Sequence, residues 1–548
     1  MPQPNAAIYY VPEGYSTKGD QLMGINVASE GMVRAMAMHG GVDRLYAFCE
    51  SPQAGAVFGD AVRAWRPGLA TDWISTADVE KVGPLGTLFL PGPGLSAYGW
   101  MRRRAGGGAF SLCGVTHTTA TPVALDALTD LLVAPIEPWD ALVCTSRAVR
   151  SMVSSVLEEQ LSYLESRFGR VSLVRPQLPI IPLGVDTAAF NFTEEDRQTA
   201  REALGAAPED VVLLFAGRLS PTSKAHPVPL FLAAARAAAR SSRLLRLVLS
   251  GWFTDARVEG AYREAAEMIC PDVHVSISDG RSAPARRNAW ASADIFISPV
   301  DNIQESFGLS PLEAMAAGLP VIASEWNGYR DTVRHLVDGM LVRSWAPPPG
   351  KGAELARGYG ARVTSYEAYV GMSSQCTAID VQDLTDAISA LADDPGRRAQ
   401  MGEAGRRRAR EEFDWARIIP QYQELWLELG ARRLRAAPTA SRPAPYPGRP
   451  DPFSAFASYP SAFLQPETRV RVGLTSPAMI EVLLTSPLIA FAAQALPSGD
   501  ALKSMVATVE SAPTTIAALL RSPGASDCEA SWRGLGWLAK YGFLRLET

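Results

Sequence analysis

Short apolar runs separated by longer amphipathic stretches dominate the first 430 residues. Ala6–Val11, Arg44–Cys49, Gly86–Leu90, Phe110–His117 and Ala141–Ser146 read as buried strands. Between several of them the period changes to that of a helix, over Asn26–His39, Thr121–Val133 and Arg147–Arg167. A second series begins at Val211–Gly217 and continues through Leu245–Gly251, Asp272–Ile277, Asp294–Pro299 and Pro320–Ser324. Strands alternating with helices imply parallel sheets wrapped on both faces, so the fold class is α/β with two doubly wound domains. Two such domains leave a cleft between them, a common place for ligands.

The clearest unit in this pattern is Asp294–Trp326: strand, loop, helix, strand. Ser310 reads as the helix N-cap, with Pro311 at the first helical position and Glu313 three residues after the cap. Gly318 ends the helix, and Pro320 prevents its return. A loop from a strand's carboxyl end into a helix start turns free N–H groups and the positive dipole end outward, which suits an anion. Glu305 and Glu313 flank that start. They could take sugar and ribose hydroxyls, or be a solvated loop charge and half of a capping box. Val211–Lys224 (VVLLFAGRLSPTSK) offers a planar guanidinium, Arg218, and a mobile ammonium, Lys224, in the loop after a buried strand. The pair suits a diphosphate; the alternative is two surface cations.

Composition narrows the classes. The chain has 548 residues, 47% hydrophobic and 20% charged, as expected of globular domains. A formal charge of −5, from 52 basic and 57 acidic residues, argues against a general polyanion binder. The six cysteines form no C-x-x-C, so neither a zinc site nor a disulfide framework is expected. The amino terminus has no signal-peptide pattern, and Ala478–Leu496, the best transmembrane candidate, is broken by Glu481, Pro487 and Gln494 and reads as buried helices. The expected location is cytoplasmic, with peripheral contact at the inner membrane face as an option. The run Trp100–Arg104 beside three glycines reads as an exposed basic loop, for an anionic acceptor, a membrane surface or only solvent.

Glu305 and Glu313 within ESFGLSPLEAMAAGLPVIAS resemble the signature of retaining family-4 glycosyltransferases of the GT-B type. The resemblance implies two facing Rossmann-like domains: residues 1–188 on the acceptor side, and 189–436 on the donor side with a last helix, near Trp415–Leu429, crossing back. It implies that Arg218, Lys224 and the N–H groups at Phe307, Gly308 and Leu309 bind the donor diphosphate. Glu305 would hold sugar hydroxyls, Glu313 the ribose, and the region Ser276, Ile277 and Ser278 the nucleobase. His117, at a strand's carboxyl edge, would contact the transferred sugar or the acceptor; alone it could simply bond a neighbouring loop. The glycine-containing loop Pro12–Gly24 would face the donor phosphates, with Gly24 and Asn26 nearest. Ala225 stands where the family often has glycine after the lysine, and Trp326–Tyr329 replaces a double glycine, to wall the sugar pocket or only to pack.

No D-x-D occurs, so no metal is expected and protein groups would carry the leaving charge. No cofactor is expected; the substrate would be a nucleotide-sugar such as a UDP- or GDP-sugar. The acceptor class stays open among glycan, lipid-linked glycan, protein and small molecule. The rivals are phosphorolysis or epimerisation on the same architecture, and a non-catalytic sugar-nucleotide-binding scaffold. Ser344–Cys376 reads as a surface excursion. Residues 437–467, with eight prolines, read as a stiff linker. Residues 468–548 read as a small, mainly helical, winged-helix-like domain with seven basic and six acidic residues. That balance suits a protein partner rather than nucleic acid.

Overall fold

The computed structural model describes residues 3–15, 24–436, 446–521 and 526–547. They form two compact units, Met1–Tyr446 and Pro447–Thr548. The first contains two six-stranded sheets. One is built from β1 (Ala7–Tyr9), β2 (Arg44–Cys49), β3 (Ala70–Ser75), β4 (Thr87–Leu90), β5 (Ser111–Val115) and β6 (Ala141–Val143). The other has β7 (Val211–Ala216), β8 (Leu245–Gly251), β9 (His274–Asp279), β10 (Ile295–Ser298), β11 (Val321–Ser324) and β12 (Gly339–Val342).

The orders are β3-β2-β1-β4-β5-β6 and β12-β11-β10-β7-β8-β9, with parallel pairing throughout. Each is the Rossmann order, in which the succession of strands reverses between the first and the fourth. In the second sheet those are β7 and β10, paired Ile295 to Leu213 and Phe296 to Leu214. Loops leaving their carboxyl ends run to opposite sides and open a crevice. Arg218 and Lys224 follow β7; Glu305 follows β10.

Two strands escape the sequence pattern. β3 (ATDWIS) buries only Ile74, and β12 (GMLV) follows β11 beyond the short helix Tyr329–Thr332; both are edge strands with little apolar periodicity. The helix Trp415–Arg435 packs against the first sheet. Its Ile418, Ile419, Tyr422, Trp426 and Leu429 pack with Ile8 and Phe89 of that sheet and Met36 of the helix Gly24–His39. Gln423 donates to Gly40 O at 2.7 Å, and Arg433 to Gly86 O at 2.9 Å.

The basic run at 100–104 is not the exposed loop expected. Trp100 to Arg102 end the helix Ser96–Arg102, and Arg102 is fully buried. Its guanidinium donates to Asp140 at 2.5 and 2.8 Å, to Phe110 O at 3.0 Å and to Pro135 O at 3.0 Å. Asp140 also accepts from Leu112 N at 2.8 Å and Glu137 N at 2.8 Å. The two terminal nitrogens of this fork are satisfied because Asp140, 38 residues away in sequence, stands beside them. Ser344–Cys376 is also more than a surface excursion. It forms helices Ala353–Gly360 and Tyr366–Gln375, and Val370 is fully buried.

The second unit combines helices Met479–Thr485, Gly499–Ser511 and Glu529–Lys540 with a three-stranded antiparallel sheet of Arg469–Val472, Thr514–Thr515 and Leu544–Glu547. Within Ala478–Leu496 the expected burial fails: Ile480 is buried, but Leu488 and Phe491 are largely exposed. The segment breaks after one short helix because Pro487 interrupts it. Part of the proline-rich stretch, 437–445, lies outside the described residues. No described helix is long and apolar enough to cross a membrane.

Asp140→Ala leaves the Arg102 charge buried with carbonyl partners only. Urea unfolding followed by near-UV circular dichroism is expected to show about 3–5 kcal/mol lost from the transition of the first unit. An unchanged midpoint contradicts this reading of the pair.

Candidate functional site

β10 ends at Ser298 because Pro299 follows, and the chain then descends through Asp301 and Asn302 into the loop that holds Glu305. Asn302 is fully buried and spends its polar atoms on that loop. Its amide donates to Thr222 O at 2.6 Å and its carbonyl accepts from Gln304 N at 2.9 Å. The loops after β7 and β10 are thereby tied to one another. Sequence reasoning missed Asn302; its only signal was a polar residue in the loop that follows a buried strand.

Lys224 and Glu305 meet across the crevice in a direct ion pair, their side chains 20% and 10% exposed. Burial disfavours the ammonium, but Glu305 outweighs it and holds Lys224 above the usual lysine range. Arg218 donates to Gln304 Oε1 at 3.2 Å and so faces the same loop. Gly217, at φ 150°, lets the chain turn off β7 with the Lys224 stem against it.

The helix start differs from the sequence reading in one respect. Gly308, not Ser310, is the N-cap, and the helix runs Leu309–Ala317 with no side-chain hydrogen bond at its cap. Glu313 is therefore not the reciprocal half of a Ser310 capping box. The reason lies in the backbone: Gly308 has φ 82°, and a Cβ there would collide with the ring of Tyr329. Tyr329 is fully buried and shares a 2.9 Å hydrogen bond with Ser298. It packs beneath the loop rather than walling a pocket. The Phe307 side chain is core, so only its backbone is available at the crevice.

Burial pushes the Glu313 carboxyl up to about 7, with Arg286 and Lys224 pulling partly back. Arg286, which carries no sequence signal, also donates to Gly280 O at 2.8 Å, the turn after β9. Glu313 is thus connected to the strand that carries Ser276, Ile277 and Ser278. These three are half-buried at the sheet edge, and Ser278 donates to Ala285 O at 3.4 Å.

His117 follows β5 and reaches the same place from the first sheet. Ser306 Oγ donates to His117 O at 2.6 Å, and Ser146 Oγ donates to Ser306 O at 3.2 Å. Desolvation lowers the imidazole to about 4, so it is neutral near pH 7. Asn327, held at φ 47°, donates to Glu305 O. Arg147 closes the edge on Asp331, with Nε at 2.7 Å.

Gly24 opens the helix Gly24–His39, but residues 16–23 of the glycine-containing loop lie outside the described residues. Asn26 is buried, and its amide donates to Glu13 O at 3.1 Å. The structure therefore gathers His117, Arg218, Lys224, Glu305, Gly308, Leu309 and Glu313 around one crevice, with the Ser276–Ser278 strand at its side. It gives Asn26 a local partner instead.

Residues 210–353 match the family described as Glycosyl transferases group 1. A D-inositol 3-phosphate glycosyltransferase of Geodermatophilus obscurus is 35% identical over 31% of this chain and 37% of its own length. One of Kribbella flavida is 29% identical over 44% and 48%. The chain thus spans about half or less of these curated relatives. Among solved structures, Anabaena Alr3699/HepE in complex with UDP and glucose aligns with a TM-score of 0.51 at 16% identity, covering 77% of this chain and 100% of that one. A glycosyltransferase of Rickettsia africae aligns at 0.50 and 12% identity, covering 79% and 99%. The chain has the GT-B fold, and its second sheet carries a match to Glycosyl transferases group 1.

Proposed function

We propose that this protein transfers a sugar from a nucleoside diphosphate sugar to an acceptor hydroxyl, with retention and without a metal ion. The observation that carries the reading is the Lys224–Glu305 pair, standing over the β7–β10 crossover beside a helix start whose cap no side chain fills. Lys224, Arg218 and the N–H groups of Phe307–Leu309 would receive the departing diphosphate. On this reading Glu305 exchanges its ammonium partner for sugar hydroxyls once phosphate takes Lys224. Glu313 accepts from the ribose, and the base lies along Ser276–Ser278.

Retention follows if the acceptor oxygen attacks the face that the phosphate leaves. The sugar–phosphate C–O bond breaks, a C–O bond to the acceptor forms, and the acceptor proton passes to the departing phosphate oxygen. Neutral His117 would orient a hydroxyl at the first-sheet edge. Residues 1–188 would serve the acceptor and 189–436 the donor, with 437–467 linking 468–548, a protein-contact module. The relatives' names make D-inositol 3-phosphate the first acceptor to try.

Consumption of UDP-glucose, GDP-mannose and ADP-glucose by the full chain tests this. One donor is expected to turn over, unaffected by EDTA or added Mg²⁺. Lys224→Ala should cost about 10²–10³-fold in kcat. Binding without turnover in the presence of acceptor, or activity abolished by EDTA, contradicts it.

Glu313 gives a separate prediction. Its carboxyl is raised from 4.5 to about 7 on folding, so the folded chain holds its proton longer. Stability is lost as pH rises between those values, and the loss persists above them. Glu313→Gln is expected to raise Tm at pH 8, to change it little at pH 4.5, and to weaken nucleotide binding at pH 8. A lower Tm at pH 8 contradicts the burial cost.

A further inference from the structure

The helix Tyr366–Gln375 lies beyond the residues of the family match, which ends at 353. It nevertheless packs onto the loops that hold Lys224 and Glu305. Asn302 Nδ2 reaches Val370 O at 3.5 Å, besides Thr222 O. Gly371 lies so close to Thr222 that an added Cβ would meet its side chain at 3.1 Å. The preceding helix continues the same wall. Tyr359 stacks on Tyr369, with centroids 4.3 Å apart and planes within 5°, and its hydroxyl reaches Ala120 O of the first sheet's edge at 3.3 Å. The segment thus spans from the donor side to the residues just after His117.

Two hydroxyls along this span stand out. Tyr366 Oη and Thr118 Oγ1 are both buried, and among the described residues each finds only the other as a partner. Tyr366 also lies within the electrostatic reach of Arg218. In such a pair one hydroxyl donates to the other, which leaves one O–H with no acceptor in the fold, a cost that a bound acceptor would offset. Thr118 is the neighbour of His117, which is half-buried and whose imidazole makes no hydrogen bond among the described residues. Three polar groups therefore converge where the first sheet, the 344–376 segment and the Glu305 loop meet.

We propose that Tyr366 and Thr118 hydrogen-bond the hydroxyls of the transferred sugar, so that the 344–376 segment is a specificity-determining wall of the donor site. The inference rests on the donor-site reading above and adds to it residues that the family match does not include. A neutral hydroxyl pair reads a neutral, hydroxylated group and leaves the nucleotide to Arg218, Lys224 and Glu313. Removing either hydroxyl should therefore weaken the sugar nucleotide but not the free nucleotide.

The test is calorimetric binding to the full chain of three matched pairs: UDP and UDP-glucose, GDP and GDP-mannose, ADP and ADP-glucose. For whichever pair binds, Tyr366→Phe and Thr118→Val are each expected to weaken the sugar nucleotide about three- to tenfold, with the parent nucleotide unchanged. The unchanged nucleotide affinity also reports that each variant is folded. Equal loss for nucleotide and sugar nucleotide, or no loss for either, overturns the inference while leaving the donor site standing. Failure of every nucleotide to bind the unaltered chain overturns the donor-site reading, and this inference with it.

Discussion

A largely buried ammonium and a largely buried carboxylate facing one another across a sheet crossover constrain the whole second domain. Each ion alone would carry a desolvation cost of several kcal/mol. Together they are tolerated, and the surrounding loops are arranged so that they meet. Asn302 locks the Thr222 backbone to the Glu305 loop, Gly217 frees the chain to leave β7, and Gly308 turns it into the next helix over the Tyr329 ring. The Rossmann strand order matters because it is what makes the loops after β7 and β10 diverge.

On the proposed reading the ion pair also gives the site its chemistry. A salt bridge bound to an incoming polyanion and a polyol can exchange partners without stranding either charge. The ammonium gains phosphate oxygens, and the carboxylate gains hydroxyl donors. Neutral His117 completes the arrangement from the opposite sheet, held by a backbone bond from Ser306, the residue after Glu305. Both domains thus contribute to one crevice, through contacts short enough to fix their spacing.

Much of this was legible in the sequence because it is local. The runs at Val211–Ala216 and Ile295–Ser298 are apolar enough to be buried strands, and Glu305, Gly308 and Glu313 lie within nine residues. What was hidden depends on distant partners. Arg102 looks like one member of an exposed basic run until Asp140 is seen beside it. Ser310 is a sound cap by composition, but Tyr329 leaves room only for a glycine, so the helix starts earlier. The 344–376 segment opens with prolines and glycines, which disguised two helices, the second of which packs on the Lys224 loop. The edge strands β3 and β12 carry too few inward residues to announce themselves.

A crystal structure of the full chain with the nucleoside diphosphate it binds would examine the central claim most directly. Our account requires Lys224 Nζ to have left Glu305 for a phosphate oxygen, with Arg218 and the Phe307–Leu309 amides on the same diphosphate. A diphosphate bridged by a metal ion, or one bound elsewhere with the Lys224–Glu305 contact intact, would contradict it.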